Sequence, residues 1–61
     1  LVTPEVGWKF GSVYRQLERE GLMIGANDLW IAATALANGV AVVTRNESEF
    51  SRVDGLRVLG Y

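Results

Sequence analysis

The run Val40-Ala41-Val42-Val43-Thr44 constrains this chain more than any other feature. It is short and β-branched, bounded by Asn38-Gly39 in front and by the polar Arg45-Asn46-Glu47-Ser48 behind. A near-continuous apolar strand of this kind belongs in the interior of a parallel sheet, with helices over its faces and strands on both edges. A second, weaker strand is expected over residues 56–59, after the Asp54-Gly55 turn. Two short strands alone make a poor sheet. Whatever this chain folds into must therefore be an α/β arrangement that other strands complete.

Two helices precede the strand. Thr3-Pro4 is a helix start with a mechanism: a threonine side chain caps free amides, and proline at the first helical position gives up an amide that had no partner. The helix is predicted from about Pro4 to Glu20. Val6, Phe10, Val13, Tyr14 and Leu17 form its apolar stripe, and Gly21 ends it in the left-handed conformation. Gly7 and Gly11 each weaken such a helix by roughly 1 kcal/mol relative to alanine, and a glycine pair four apart leaves a shallow groove for a close contact. After a short link, residues 22–26, a second helix is expected to be capped by Asn27 or Asp28 and closed by Asn38-Gly39. Leu29, Ile31, Ala32, Ala35 and Leu36 do not fit one narrow stripe, so this helix is expected to be buried on most sides. Asn46 to Phe50 reads as a turn with a short helical segment. The order α, α, β, short α, β is that of the second half of a larger α/β unit.

Size and composition agree. A chain of 61 residues hides only about 60% of the surface its unfolded form exposes, and this one has neither cysteine nor histidine to staple it with a disulfide or structural zinc. Nearly half the residues are apolar, 49%, which excludes disorder and implies surface meant for a partner. No apolar run reaches the roughly 20 residues of a membrane span. The opening LVTPEVGWKFG lacks the basic flank and apolar core of a signal peptide. The absence of cysteine is compatible with a reducing compartment, and the chain reads as soluble and cytoplasmic. A formal charge of −1 argues against bulk electrostatic binding to nucleic acid, leaving local contacts through Arg45, Arg52 and Arg57.

The candidate chemistry is carried by oxygen. Asp28, at the head of the apolar helix, can be a hard ligand for Mg²⁺ or Mn²⁺, or it can cap the helix and complement the positive end of its dipole. Taken alone, one carboxylate favours the cap. Thr44, Asn46, Glu47 and Glu49, just past the strand, could hold metal waters or orient a phosphate. The same residues could equally form a solvated turn, with Asn46 capping the short helix. Trp8, Phe10, Tyr14 and Trp30 could stack on bases, although aromatics at helical spacing more often build core or interface. Without histidine, triad hydrolysis and zinc chemistry are poor candidates. A helix-turn-helix is disfavoured because the second helix has no basic face.

Residues 17–61, LEREGLMIGANDLWIAATALANGVAVVTRNESEFSRVDGLRVLGY, resemble the carboxyl half of a PIN-domain ribonuclease of the VapC toxin type. That pattern has a Leu-rich helix, a glycine, a D-x-x-I-A-A helix, a strand ending T-x-D or T-x-N, a phenylalanine and a closing G-L-x-V. It is met here by Leu17, Gly21, Asp28, Ile31, Ala32, Ala33, Thr44, Asn46, Phe50, Gly55, Leu56 and Val58. The resemblance implies part of an α/β/α sandwich with a small parallel sheet, and a toxin-antitoxin ribonuclease in which acidic residues gather Mg²⁺ or Mn²⁺. By carry-over Asp28 is the third acidic position and a metal ligand, Asn46 stands at the fourth and also ligates, and Thr44 is a hydrogen-bonding neighbour. Glu47 or Glu49 remains open as a substitute fourth acid. The implied partners are RNA, a VapB-like antitoxin and a second copy of the chain in a homodimer. The opening strand with its Asp and the following helix with its Glu have no counterpart in these residues. The isolated chain is accordingly expected to be inactive, and on this count whether it binds a metal at all stays open. The other reading is a non-catalytic interaction module, or a decayed toxin remnant, pairing through Phe10, Tyr14 and Trp30.

Overall fold

The computed structural model describes residues 3–61. Helix α1 spans Pro4–Glu20. Thr3 caps it as its chemistry requires, the Val6 amide donating to Thr3 Oγ1 at 3.2 Å. Gly21 closes it at φ 68°, a conformation that costs glycine nothing. The Gly21 amide donates to Glu18 O and the Leu22 amide to Leu17 O, which satisfies carbonyls of the last turn. Val6, Val13 and Leu17 are buried along one stripe and Phe10 is half-buried, while Tyr14 lies at the margin of the stripe, exposed. Gln16 is also buried, which the apolar pattern gave no reason to expect.

Helix α2 spans Ala26–Asn38, beginning earlier than its apparent caps. Gly25, extended at φ −63° and ψ 154°, is the N-cap and offers no side chain. Its carbonyl takes the Leu29 amide at 2.9 Å. Asn27 and Asp28 therefore lie within the first turn, and the expectation that one of them caps the helix is corrected. Gly39 closes α2 at φ 66°, with Val40 N–H donating to Ala35 O. Leu29, Ala32, Ala33 and Ala35 are buried, but Trp30 and Ile31 are partly exposed. Among the described residues α2 thus buries one broad face rather than most of its surface. Small alanines on that face let it lie close against α1, its principal partner.

The sheet is two parallel strands, β1 (Val42–Val43) and β2 (Val58–Leu59), in register Val42 to Val58 and Val43 to Leu59. Both are shorter than the sequence predicted. The amides of Val42 and Thr44 donate to Arg57 O and Leu59 O, each at 2.9 Å. The Val43 amide, by alternation, points to the opposite edge of β1. Val42 is buried, whereas Val40 and Val43 stand 53% and 62% exposed. The interior strand that its composition implies is thus covered on one side only, and its second edge is unpaired among the described residues. The one-turn helix α3 (Glu47–Phe50) lies in the crossover between the strands.

The core joins Val13, Leu17, Ile24, Leu29, Ala32, Ala35, Val42, Phe50 and Val53. Gly7 and Gly11 take no part in it: a Cβ at Gly7 would meet nothing within 4 Å, and one at Gly11 would meet only the Arg15 guanidinium. The groove they form faces away from α2. No helix among the described residues is long and apolar enough to cross a membrane.

Candidate functional site

Tight reversal at Gly39 lays α2 back against β1 in the opposite direction. Trp30 and Ile31 share an open cleft with Thr34, Ala35 and residues 40–43. From Asp28 to Asn38 the helix climbs ~15 Å at ~1.5 Å per residue. From Val40 to Thr44 the strand returns ~13 Å at ~3.3 Å per residue. By these lengths the head of α2, with Asp28, and the carboxyl end of β1, followed by Thr44 and Asn46, both lie toward the end of the molecule away from Gly39. In open α/β sheets the carboxyl ends of the strands are where ligands bind.

The turn after β1 is held by its own first residue. The Asn46 amide donates to Thr44 Oγ1 at 3.0 Å, so the hydroxyl proton of Thr44 is free to donate elsewhere. Asn46 precedes α3, and its carbonyl accepts from Glu49 and Phe50. Its carboxamide makes no capping bond, so the expected side-chain cap is replaced by a backbone one. This leaves the amide oxygen uncommitted. Glu47 fills the space that a Cβ on Gly60 would occupy, packing against the residue after β2. Glu49 is half-buried on α3.

Asp28 is half-buried in the first turn of α2, where a negative charge is favoured by the helix dipole and by unpaired amides. Position within the turn, rather than at the cap, leaves its carboxylate without an obligatory partner in the helix. Asp28 and Asn46 offer one carboxylate and one amide oxygen. These are hard donors of the type Mg²⁺ and Mn²⁺ take, but both ions need further oxygens. Among the described residues no group of three or more His, Cys, Asp or Glu could hold an ion. The donor chemistry fits in kind, and water together with further oxygens beyond this pair would complete the shell of such an ion.

Arg45, Arg52 and Arg57, the candidates for local RNA contact, are each turned onto the protein. Arg45 lies 5.1 Å from the centre of the Tyr61 ring. Arg52 Nη1 donates to Leu22 O and Met23 O at 3.4 and 3.3 Å, and Arg57 donates to Gly39 O at 3.3 Å. The aromatic trio packs on itself at the surface: Phe10, half-buried, sits 4.0 Å from Trp30 between ring centres, bracing α1 on α2, and 6.4 Å from the exposed Tyr14.

Sequence reasoning passed over Gln16. Its Nε2 donates to Arg52 O at 2.8 Å and to Glu20 Oε1 at 3.0 Å, and its Oε1 accepts from the Asp54 amide at 3.1 Å. Together with Arg52 it ties α1, the 52–54 turn and the link leading to α2, and so fixes where the head of α2 begins. A glutamine three residues after Val13 and one before Leu17, within a buried stripe, was the available signal.

A small parallel sheet crossed by helices, with a carboxylate and a polar turn at one edge, describes a class of fold that the comparisons resolve further. The model of the PIN domain family matches residues 1–56. Ribonuclease VapC2 of Rickettsia felis is 45% identical over 47 residues, covering 77% of this chain and 35% of the relative. Ribonuclease VapC2 of Haemophilus influenzae is 41% identical over 54 residues, covering 88% and 41%. Among solved structures, VapBC2 from Rickettsia felis bound to a DNA fragment from their promoter superposes with a TM-score of 0.91 and 36% identity, over 97% of this chain and 44% of that one. The chain belongs to the PIN-domain family, in its VapC type. It spans about two fifths of the length of the curated relatives it matches.

Proposed function

We propose that this chain is the carboxyl-terminal part of a VapC-type endoribonuclease and carries one half of a divalent-metal site. The observation that supports this reading is the tight reversal at Gly39 between α2, with Asp28 in its first turn, and β1, with Thr44 and Asn46 directly after it. Asp28 and Asn46 would hold the ion and Thr44 would donate a hydrogen bond beside it. A divalent ion in such a site offsets charge on a scissile phosphodiester and activates water. What this chain supplies is a rigid edge: a carboxylate fixed on a helix and an amide fixed by the Thr44 turn.

The unpaired edge of β1 and the exposed Val40 and Val43 support completion by a further strand, whose own carboxylates would lie at the same edge. Alone, the chain is therefore inactive. The solved neighbours are named VapBC, which supports a VapB-like antitoxin partner here, and RNA is the substrate class this reading carries. The test is reconstitution. The DNA upstream of Leu1 is read for a segment encoding a strand ending in Asp and a helix carrying Glu, and the joined protein is assayed for Mn²⁺ binding and RNA cleavage. Asp28→Asn is expected to weaken Mn²⁺ binding and lower cleavage by 100-fold or more, about 3 kcal/mol of barrier, without lowering thermal stability by more than ~1 kcal/mol. Unchanged metal binding and cleavage would leave Asp28 a dipole partner only and sink the reading.

A further inference from the structure

The strands β1 and β2 run parallel in register Val43 to Leu59, and the Thr44 amide, donating to Leu59 O at 2.9 Å, carries that register past the end of β1. The same offset brings Arg45 opposite Tyr61. There the guanidinium lies over the phenol ring, 5.1 Å from its centre. Tyr61 is nonetheless 77% exposed, so with one face of the ring under Arg45 the other is open to water. The Asn46 amide bonds back to Thr44 Oγ1 across Arg45, which fixes the backbone that carries the guanidinium. The pair thus stands just past the carboxyl end of both strands, the part of a parallel sheet at which ligands bind.

Arg45 differs from Arg52 and Arg57 in how it is held. Arg52 and Arg57 direct N–H groups at backbone carbonyls. The contact of Arg45 with a ring is made without spending N–H groups on an acceptor atom, so they are available to an anion. Donors at the rim of a guanidinium, next to a bare aromatic face, match a ligand that carries a flat base and a phosphate in one unit. An acidic peptide would use the donors and leave the ring unused.

We propose that Arg45 and Tyr61 form a nucleotide platform: Tyr61 stacks a base of single-stranded RNA on its open face, and Arg45 donates to the phosphate beside that base. The purpose of the platform rests on the nuclease reading. Arg45 lies between Thr44 and Asn46 in sequence, so a nucleotide on the platform would flank the phosphate that the proposed metal site attacks. Arg45 and Tyr61 are positioning residues there and take no part in holding the ion. Stacking tolerates every base, so the platform sets the path of the strand rather than its sequence. A local contact of this kind suits a chain whose formal charge of −1 gives no bulk attraction to a polyanion.

The test is binding of a fluorescein-labelled single-stranded RNA of roughly eight nucleotides to the 61-residue chain, followed by anisotropy in EDTA so that neither metal nor cleavage enters. The wild type is expected to bind with an affinity that falls as salt is raised. Arg45→Ala should weaken binding about tenfold and reduce the slope of log K against log salt by about 0.7, the loss of one phosphate contact on a single strand. Tyr61→Ala should weaken it roughly tenfold as the base loses its stack, whereas Tyr61→Phe, which keeps the ring, should bind as the wild type does. Arg57→Ala, equal to Arg45→Ala in net charge, should leave binding unchanged. Arg45 and Tyr61 are exposed, so their variants are expected to fold, and circular dichroism checks it. A wild type that does not bind this RNA overturns the proposal, as does binding indifferent to Arg45→Ala or to Tyr61→Ala. Weakening by Tyr61→Phe as large as by Tyr61→Ala would overturn the stacking role. Equal weakening by Arg57→Ala would overturn the assignment to Arg45, since net charge alone would then explain the loss. The nuclease reading is judged separately, by Mn²⁺ binding and cleavage in the joined protein, so either can fail while the other stands.

Discussion

Gln16 illustrates how one side chain can hold distant parts of a small fold. Its carboxamide uses both ends across 36 and 38 residues of sequence, and a buried amide is stabilising only while its partners are met. Gln16→Leu would remove the side-chain partner of Arg52 O and Asp54 N and is expected to cost about 1–3 kcal/mol, the penalty of one group left unpaired, since Asp54 is open to water. Urea unfolding followed by circular dichroism checks this, and an unchanged midpoint would show that the turn finds other partners. At this scale the legible residues were those whose role is local. Thr3, Pro4, Gly21 and Gly39 act on backbone within four or five residues, so their chemistry could be read directly. Gln16 and Arg52 act through tertiary contacts and carried no local mark. Asp28 belongs to the expected helix end, but neither it nor Asn27 is the cap, because the path of the link through buried Ile24 lets Gly25 start the helix instead.

Among the elements, the contact between α1 and α2 depends on unlike surfaces. The alanines of α2 allow close approach, and Phe10 on α1 fills the remaining space against Trp30. Phe10→Ala should therefore destabilise the chain by about 2–4 kcal/mol, toward the lower end because the ring is only half-buried. It should also shift Trp30 emission to longer wavelength as water reaches the indole, read in a Trp8→Phe background. No shift would mean that Trp30 is shielded by α2 alone. The helices were readable because their apolar periodicity is registered along a single element. The strands were readable only in part: residues 40–44 have the composition of an interior strand, but pairing reaches just Val42 and Val43. Composition records the environment a strand is suited to, whereas the pairing observed depends on which neighbours are present. For the same reason the proposed site was legible only as the ends of two elements, Asp28 at the head of α2 and Thr44 with Asn46 after β1. Its remaining oxygens could not be read from these residues.

For the molecule as a whole, the edge of β1 away from β2 carries no strand among the described residues, and Val43 beside it is exposed. The parallel strands impose a further condition. Their connection, residues 44–57, has to carry the chain back along the full length of the sheet, and parallel pairing needs a dozen or more residues to do so. It contains only the single turn of α3, so there is little slack in it. Shortening by two residues, for example removal of Ser48 and Glu49, is expected to abolish the slow hydrogen exchange of the Val42 and Thr44 amides. An insertion of two glycines after Gly21, where the link is exposed ahead of buried Ile24, should leave that exchange slow. If the deletion also left it slow, the crossover would hold spare length. Length variation in this fold is thus kept out of its one long connection by geometry, and the tolerant one is the short link that delivers the chain to Asp28.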